Sequence, residues 1–366
     1  MKESILDVLI IGPFPNPITG NSIANKVAFE GLMSRPGIKV RKINTSTSFF
    51  DEKVGFFSIR KLFNSLKFNL QGYKIIQSNI VYITPGQSFL GILKYAILIF
   101  IAKLLKRKII LHVHGNYLWQ EYQNLNPIKK YIAKFILSLA DCGIVLSELL
   151  IPNLTPFINR KKIHIVHNFV EDYVINETKE SINKKNLGSL RIIYLSNLML
   201  EKGILDLLEA LKVLEQEGIS FEARIAGNID NRSRHEIERH FKILNNVTYL
   251  GVVDGDAKRD MLLWGNVFVF PTYYKMEGQP LAILEAMATG NVILTSDHAG
   301  IPDIFSLNNG LFINTKNPKD IIQKIQTIMN NKEKFEKIMR YNHLYVSRNF
   351  RNNKFICSLE GIVKSV

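Results

Sequence analysis

The sequence predicts an α/β protein built from two doubly wound units in tandem. Short apolar runs alternate with helical stretches along the chain, which is the pattern of strands joined by helical crossovers. Most residues of the runs are apolar, which is typical of parallel strands buried on both faces. A polar stretch at residues 176–189, rich in Glu, Lys and Asn, separates the two series. At 366 residues the chain is long enough for two domains of ordinary size.

The first unit is predicted from the first series of strands and helices. Its first helix is closed by the turn Arg35-Pro36-Gly37. A later helix contains the longest apolar stretch of the chain, residues 89–102, which is too short to span a bilayer. It is either a buried crossover helix or an interfacial helix, and both hold if one face packs on the sheet. Strands are predicted at residues 5–12, 80–84, 108–113 and 142–146, and helices at 21–33, 88–105 and 127–140.

The second unit follows from the same alternation. Gly218 ends its first helix. Pro280 suits the first turn of a later helix, where its missing N–H costs nothing, and Gly290 suits the position just past that helix. Ligands of doubly wound sheets bind at the carboxyl ends of the strands. Strands are predicted at residues 191–195, 221–226, 247–250, 267–270 and 292–295, and helices at 202–217, 232–244, 256–263 and 280–289.

Two carboxylates frame the loop and helix that follow the strand at 267–270. Glu277 lies on the loop, and Glu285 lies eight positions later inside the helix. A carboxylate accepts two hydrogen bonds side by side, so it matches a vicinal diol, and a helix N-terminus attracts phosphate. One Glu for a sugar, one for a ribose and the helix for phosphates would bind a sugar nucleotide. The alternative is a solvated loop residue and a polar-face helix residue, although an unpaired Glu285 would be costly in its apolar helix.

The segment 277–290, EGQPLAILEAMATG, resembles the E-x7-E motif of retaining glycosyltransferases of family 4. The resemblance is strongest over about residues 190–310. It implies the GT-B fold, in which two Rossmann-like doubly wound domains face each other across a cleft. The implied organisation is an acceptor-binding domain at residues 1–175, a linker at 176–189, a nucleotide-sugar-binding domain at 190–344, and a last helix at about 345–366 that packs back on the first domain.

The resemblance also implies roles for single residues. In the family the first Glu contacts the donor sugar and the second contacts the ribose, which correspond to Glu277 and Glu285. His114 matches a His that reaches the donor sugar, and Lys202 matches a Lys that neutralises the leaving diphosphate. Glu277, His114 and Lys202 are therefore the expected catalytic residues. The residues expected to bind the nucleotide sugar are Gly20, Asn21, Asn197, Lys202, Gly251, Val252, Glu277, Gly278, Gln279, Pro280, Leu281 and Glu285.

Two loops depart from the family pattern. The glycine-rich loop usually has paired glycines where this chain has Thr19-Gly20-Asn21, so a plain strand-to-helix turn is an alternative. Asn197 stands where an Arg is usual, so one cation of the expected pair is missing. Either Asn197 donates a neutral hydrogen bond, or another base such as Arg191 or Lys275 helps. Lys202 has its own alternative as a solvated lysine, but a cation is unfavourable at a helix start.

Two further motifs have competing interpretations. His112 and His114 end a strand, and the alternatives for them are a sugar contact by His114, a structural hydrogen bond or a metal site, which lacks a convincing third ligand. Asp254-Gly255-Asp256 has the D-x-D form with which the GT-A fold holds a metal. Asp256 precedes a predicted helix, so we expect it to be the N-cap instead. The chain has no G-x-G-x-x-G, which argues against a dinucleotide dehydrogenase.

The net charge of +15 is concentrated in the first half of the chain. Residues 1–180 carry 23 Lys and Arg against 12 Asp and Glu. Basic and apolar residues interleave at 56–68, which suits an anionic membrane surface better than nucleic acid, for which no recognised module is present. The N-terminus lacks a signal-peptide pattern, and Cys142 and Cys357 are predicted to be buried reduced thiols. We therefore expect a cytoplasmic protein at the inner face of the membrane.

The expected function is that of a hexosyl- or glycosyltransferase. The resemblance implies transfer of a sugar from a UDP- or GDP-sugar to an acceptor hydroxyl, with retention and without a metal or cofactor. The basic first domain favours a glycan or lipid-linked glycan acceptor, as in cell-surface polysaccharide assembly. The alternatives are a nucleotide-sugar epimerase or phosphorylase on the same fold, and an inactive nucleotide-sugar-binding partner subunit. Asn197 favours the inactive partner, whereas Glu277 and Glu285 count against it.

Overall fold

The chain forms two compact units in a computed structural model that describes residues 5–46, 68–176 and 179–366. The first unit comprises Met1–Asn168, Met276–Gln279 and Asn352–Val366, and the second comprises Phe169–Lys275 and Pro280–Arg351. The basic stretch predicted at residues 56–68 lies outside the described residues except for Phe68.

Each unit contains a parallel sheet, and the described residues place six strands in each. The strand order is β2-β1-β3-β4-β5-β6 in the first sheet and β12-β11-β10-β7-β8-β9 in the second. All neighbouring strands run parallel. The strands are β1 Leu6–Gly12, β2 Ile38–Asn44, β3 Ile80–Ile83, β4 Lys108–Val113, β5 Cys142–Val145, β6 Ile163–Ile165, β7 Leu190–Leu195, β8 Phe221–Ala226, β9 Val247–Tyr249, β10 Val267–Phe270, β11 Val292–Thr295 and β12 Gly310–Phe312.

Helices connect the strands of both sheets. Short 3-10 turns at Leu70–Ile75, Glu148–Asn153, Arg160–Lys162 and Leu200–Lys202 supplement them. In the described residues the helices are α1 Gly20–Met33, α2 Phe89–Leu104, α3 Leu118–Asn124, α4 Pro127–Leu137, α5 Asp172–Ile175, α6 Lys179–Lys184, α7 Ile204–Gln216, α8 Arg234–Ile243, α9 Gly255–Trp264, α10 Leu281–Ala288, α11 Pro318–Asn330, α12 Lys332–Asn349 and α13 Asn352–Ser365. No helix in this described part of the chain has the length and apolar character needed to cross a bilayer.

The α/β fold predicted from the alternation of strands and helices is confirmed. Several central strands are fully buried, namely β3, β10, and β4 after its first residue, which is typical of a parallel sheet covered on both faces. Three edge strands, β2, β6 and β12, were not predicted, and β12 has only three residues. The exposed and buried residues of β2 alternate, so it lacks the continuous apolar run of a central strand, and β6 has three residues.

The C-terminal helix α13 packs against α1 in the first unit. The guanidinium of Arg35, which follows α1, lies 3.2 Å from the carboxylate of Glu360 in α13. Arg35 also donates a hydrogen bond of 2.7 Å to Asn353. The end of the chain is therefore part of the first unit, while α12, which precedes it, belongs to the second.

The two cysteines lie in different environments. Cys142 is buried in β5, and burial raises the pKa of its thiol to about 11. Cys357 is exposed on α13, so the prediction of a buried thiol is wrong for this residue. The outward face of an amphipathic helix accommodates a small thiol as easily as the inward face, and the isolated residue carries no signal of which face it occupies.

The polar stretch at residues 176–189 contains α6 and a desolvated amine. Nζ of Lys185 donates hydrogen bonds to the carbonyls of Leu262 and Thr289, at 3.0 and 2.7 Å, and to the side chain of Asn291 at 3.2 Å. Desolvation, together with the charge of Arg191, holds the pKa of Lys185 well below its ordinary value. The carbonyl of Thr289 belongs to the end of α10, so this lysine ties the stretch to the helix that carries Glu285.

We expect Lys185→Met to lower the free energy of unfolding by about 1–3 kcal/mol, because three enclosed acceptors each lose one hydrogen bond. Urea unfolding measures the change. Lys184→Met is the matched control, since the neighbouring lysine is exposed and should have an effect within about 0.5 kcal/mol. Equal effects of the two substitutions would show that the amine of Lys185 does not hold this stretch in place.

Candidate functional site

The second sheet has a topological switch point between β7 and β10. From β7 the chain proceeds to β8 and β9 on one side, and β10, β11 and β12 lie on the other. Val267 of β10 pairs with Ile192 of β7 and with Val292 of β11. The loops after β7 and β10 therefore emerge side by side at the carboxyl end of the sheet, where doubly wound folds bind ligands.

The loop after β7 is held against the loop after β10. The carbonyl of Glu201 accepts a hydrogen bond of 2.8 Å from the backbone N–H of Tyr273. Gly203, at the start of α7, has φ +75°, and a Cβ there would clash with the carbonyl oxygen of Pro271. Glycine is therefore required where these two loops touch.

Lys202 lies in this contact region. Its Nζ is 4.9 Å from the ring centroid of Tyr274 and 5.4 Å from that of Phe270. Its carbonyl accepts a hydrogen bond of 3.2 Å from the hydroxyl of buried Tyr194. The ammonium group is thus held over aromatic rings beside the loop after β10, at the start of α7.

Asn197 lies on the same loop, half-buried, and its carbonyl accepts from the hydroxyl of Tyr194 at 3.4 Å. Arg191 does not supply the missing cation at this end of the sheet. It is the second residue of β7, at the amino end of the strand, and its guanidinium lies 5.7 Å from the ring centroid of Trp264. Of the two bases suggested from the sequence, Lys275 alone follows the carboxyl end of β10.

The loops after β8 and β9 are joined through backbone groups. The N–H of Gly227 donates a hydrogen bond of 2.7 Å to the carbonyl of Gly251. The hydroxyl of Tyr249 donates to the carbonyl of Gly227 at 2.8 Å. Val252, the second residue expected at the base of the nucleotide, is exposed. Both loops lie at the carboxyl edge of the second sheet, next to the loop after β7.

Glu285 lies inside α10 and is only 5% exposed. Its Oε1 is 2.6 Å from Nζ of Lys258, which is also buried, on α9. A second carboxylate, Glu171, lies 3.7 Å from the same amine. Burial alone would lower the pKa of Lys258, but Glu285 and the hydroxyl of Tyr173 raise it above its ordinary value. The amine is therefore a fixed cation beneath α10.

Lys258 and Tyr173 were not predicted to belong to the site. A signal was present for Lys258, because Lys258, Met261 and Leu262 share the i, i+3, i+4 spacing of one helix face, and all three are buried. A lysine on the apolar face of a helix needs an anionic partner, and Glu285 is that partner. Tyr173 carried no comparable signal.

Asp256 is not the N-cap of α9, contrary to the prediction. The helix begins at Gly255, so Asp254 is the cap residue, and its side chain makes no capping hydrogen bond. Asp256 lies in the exposed first turn, where Oδ1 is 3.2 Å from the guanidinium of Arg259. The helix therefore begins one residue earlier than predicted, at Gly255, whose φ of +50° lies in the left-handed region that favours glycine.

The segment Met276–Gln279 packs within the first unit. Gln279 is clamped through both ends of its amide. Its Oε1 accepts a 2.7 Å hydrogen bond from the N–H of Asn168, and its Nε2 donates to the carbonyl of Leu146 at 3.1 Å. Its own carbonyl accepts from the side chain of Asn168 at 2.6 Å. The side chain of Gln279 therefore positions the segment that carries Glu277.

Glu277 and His114 are brought together by this segment. Gly278 lies so close to the turn at His114 that a Cβ would clash with the carbonyl oxygen of His114. A Cβ at Gly115 would likewise clash with the carbonyl oxygen of Met276. The carboxylate-bearing residue between them, Glu277, is 8% exposed. Two of the three expected catalytic residues thus occupy one place in the first unit.

The two histidines at the end of β4 are enclosed. Their ring centroids are 3.9 Å apart, and Nδ1 of His112 shares a short hydrogen bond with the hydroxyl of buried Tyr82. Desolvation lowers the pKa of His114 to about 3 and that of His112 well below its ordinary value. Both imidazoles are therefore neutral at pH 7. Within the described residues, Nε2 of His114 is buried without a hydrogen-bond partner, so this atom can form a hydrogen bond with a ligand.

The same histidines do not complete a metal site in the part of the chain that the structure describes. No group of three His, Cys, Asp or Glu there could hold a metal ion.

At the start of α1, Thr19 is the N-cap and forms a capping box with Ser22. Gly20 is exposed, Asn21 is half-buried, and a Cβ at Gly20 would meet no atom within 4 Å. Protein packing therefore does not explain the glycine at this position.

Residues 175–344 match the model of the family described as glycosyl transferases group 1. The matched residues are just under half of the chain. The group 1 region contains the loops after β7 and β10, α9 and α10, and therefore both Lys258 and Glu285. The first unit lies almost entirely outside the matched residues. Its candidate residues are therefore supported by the geometry described above and not by the family match.

Curated relatives match similar portions of the chain. An uncharacterized glycosyltransferase of Methanocaldococcus jannaschii is 28% identical over 179 residues, which are 46% of this chain and 45% of the relative. The N,N'-diacetylbacillosaminyl-diphospho-undecaprenol alpha-1,3-N-acetylgalactosaminyltransferase of Campylobacter jejuni is 30% identical over 168 residues, 44% of this chain and 42% of the relative. The matches span less than half the length of these relatives.

Solved structures resemble the whole chain. Anabaena HepE, in complex with UDP and glucose, has a TM-score of 0.74 and 14% identity and covers 99% of this chain and 100% of its own. Sucrose-phosphate synthase from Thermosynechococcus elongatus has a TM-score of 0.74 and 15% identity, with 98% of each chain covered. At these identities the likeness shows the fold, which is the GT-B architecture of two α/β domains.

We expect the two enclosed histidines to make the protein sensitive to acid. Because their pKa values are lowered in the folded state, the unfolded chain binds more protons below pH 6.5, and stability is lost as pH falls from about 6.5 towards about 3. In that window each histidine lowers the free energy of unfolding by about 1.4 kcal/mol for each unit by which the pH falls. Urea unfolding at stepped pH should show that His114→Gln flattens this slope.

The control for this measurement is His235→Gln, because His235 is exposed on α8. It should leave the dependence on pH unchanged. If His114→Gln and His235→Gln gave the same slope as the wild type, the imidazole of His114 would be free to take up a proton in the folded protein, and its neutrality would be disproved.

Proposed function

We propose that the chain is a glycosyltransferase that moves a sugar from a nucleoside diphosphate sugar to an acceptor hydroxyl. The observation that carries the proposal is that Glu277 and Glu285, the two carboxylates of the spaced motif, are both buried after β10. Buried carboxylates need partners, and Glu285 has a fixed cation in Lys258. The group 1 family match over the same residues supports the reading.

We assign the roles as follows. Glu277 orients the donor sugar, and His114, a neutral donor or acceptor through Nε2, contacts the same sugar. Glu285 accepts from the ribose hydroxyls while Lys258 holds its carboxylate in place. The backbone of Gly251 and Val252 lies against the base, and Gly20 and Asn21 approach the phosphates. Pro280 precedes α10 and no side chain caps that helix, so the free N–H groups of its first turn, from Leu281 onward, are suited to phosphate.

Charge develops on the leaving diphosphate during the transfer. Lys202 and the N-terminus of α10 stabilise that charge. The reaction proceeds with retention, by attack of the acceptor on the face from which the diphosphate leaves, and the departing diphosphate helps to deprotonate the acceptor hydroxyl. No metal takes part in this scheme. We propose that Lys275, which follows β10, supplies the second positive charge that the family's Arg provides to the diphosphate.

We propose UDP as the carrier nucleotide ahead of GDP. The support is that the structure of Anabaena HepE, which resembles the whole chain, contains UDP and glucose. For the acceptor we propose a lipid-linked glycan, because the name of the Campylobacter relative specifies a sugar on diphospho-undecaprenol. The positive charge of the first half of the chain favours work at the anionic inner face of a membrane, from the cytoplasm.

Glu277→Ala should lower kcat by roughly 100-fold or more, because the sugar loses the group that orients it in the transition state. The fold should survive, with a melting curve like that of the wild type. Release of free nucleoside diphosphate in the presence of acceptor measures the rate. Asp297→Ala, which removes an exposed carboxylate beyond β11, is the matched control and should retain activity.

The same assay separates the proposed transferase from its alternatives. A transferase releases nucleoside diphosphate in step with glycosylated acceptor. An epimerase would convert the donor without acceptor, and an inactive binding subunit would bind the nucleotide and release nothing. Full activity of Glu277→Ala with an unchanged melting curve would remove Glu277 from the mechanism.

A further inference from the structure

Helix α2 exposes an apolar stripe on its outer face. Its outward residues repeat at alternating spacings of three and four, so they lie in one row along the helix. They are Leu90, Leu93, Ile97, Phe100 and Leu104, and Leu104 is 84% exposed. The opposite face, with Ile92, Leu98 and Ala102, is buried. The helix therefore packs on the sheet through one face and leaves an equally apolar face uncovered.

Helix α4 extends this surface. It packs against α2, and its outward apolar residues are Ile128, Tyr131 and Phe135, of which the first two are 73% and 74% exposed. The ring centroids of Phe100 and Phe135 are 5.8 Å apart, which joins the two rows. Tyr131 stacks near Phe135 at 6.5 Å. We call these eight residues of α2 and α4 the docking face. Contiguous apolar surfaces of this kind mark interaction sites.

The charges around the docking face are positive. Neither α2 nor α4 contains an Asp or Glu. Exposed lysines lie among and beside the apolar rows, at Lys103, Lys129 and Lys134. Two acidic groups that contact these helices are already engaged: Asp141 lies 3.5 Å from Lys103, and Glu121 accepts a hydrogen bond from the N–H of Phe89. The partner of this surface must therefore combine an apolar interior with anionic groups.

We propose that the docking face inserts into the headgroup and acyl-chain boundary of an anionic bilayer. The apolar side chains enter the membrane, and the lysines contact anionic headgroups. A second copy of the chain is a poorer partner, because two docking faces would bring lysines against lysines with no carboxylate on either helix. The inference deepens the membrane association proposed above and names its surface, but it does not depend on transferase activity.

Insertion and charge attraction differ in their response to salt. Attraction between exposed charges is screened within about 8–10 Å at physiological ionic strength and fades at higher salt. Burial of apolar side chains is not screened. Association through the docking face should therefore persist in part at high salt, whereas association through charge alone should be released.

The test is sedimentation of the full chain with vesicles of phosphatidylcholine and phosphatidylglycerol, and with phosphatidylcholine alone, at low and high salt. The variant Ile97→Ser/Phe100→Ser/Phe135→Ser removes the centre of the docking face. Its matched control is Tyr341→Ser/Leu344→Ser, which removes two exposed apolar side chains from α12. A second variant, Lys129→Gln/Lys134→Gln, removes charge and leaves the apolar rows intact.

We expect the wild type to bind anionic vesicles, with part of the binding retained at high salt. The serine variant should partition at least tenfold less at both salt concentrations, and the control should match the wild type. The glutamine variant should lose binding mainly at low salt. Since all the substituted side chains are exposed, melting curves should be unchanged. If the serine variant does not fold, Tyr131→Trp supplies a second readout, because its emission should shift to shorter wavelength on vesicles.

Three outcomes would overturn the inference. The first is no binding of the wild type to anionic vesicles at low salt. The second is binding that the serine variant retains in full, or no emission shift for Tyr131→Trp. The third is a wild-type dimer by light scattering that the serine variant converts to monomer, which would assign the face to a second copy. Because no donor or acceptor is present, none of these outcomes bears on the transferase activity.

Discussion

The parallel order of both sheets is the constraint on which the rest of the structure depends. In a parallel sheet every strand ends at the same edge, so residues far apart in sequence are gathered there by topology. In the second sheet the switch point between β7 and β10 sets Lys202 beside the loop that leads to Glu277. In the first sheet the end of β4 presents His114. The helices that complete the crossovers then decide which faces remain outside, and α2 keeps one apolar face uncovered.

Glu285 is buried in α10, the helix that follows β10, and its negative charge is compensated by Lys258. A carboxylate inside an apolar helix costs several kcal/mol unless it is paired. Glu285 accepts from Lys258 through Oε1 at 2.6 Å, and a carboxylate can accept through both oxygens, so the pairing is compatible with a further hydrogen bond from a ribose. Tyr173 and Glu171 lie around the same amine, which ties α5, α9 and α10 together. Removal of either partner would leave the other charge buried and uncompensated.

Much of the fold could be predicted from the sequence, because central strands have a strong signal. Lys108–Val113, Val267–Phe270 and Val292–Thr295 have the predicted bounds, since each is a largely apolar run between polar or turn residues. Phe221–Ala226 also has the predicted bounds, although Glu222 and Arg224 interrupt its apolar residues. The edge strand β2 was missed because it alternates like a half-exposed strand. The N-cap at Asp256 was wrong because α9 begins at Gly255, one residue earlier than predicted. The partner of Glu285 could not be read from the E-x7-E spacing, since contacts between helices are set by packing. The only local indication of this partner was the position of Lys258 on an apolar helix face.

The most direct test is calorimetric titration with UDP and GDP in the presence of EDTA, on the wild type and on Glu285→Gln, which keeps the volume of the side chain. Our proposal predicts that one nucleotide binds without a divalent metal and that its affinity falls about tenfold or more in the variant, because a neutral amide replaces a carboxylate that accepts from the ribose. Glu222→Gln, an exposed position in β8, should bind like the wild type. Equal affinity of the wild type and Glu285→Gln, or binding that appears only when manganese is added, would contradict the proposed donor site.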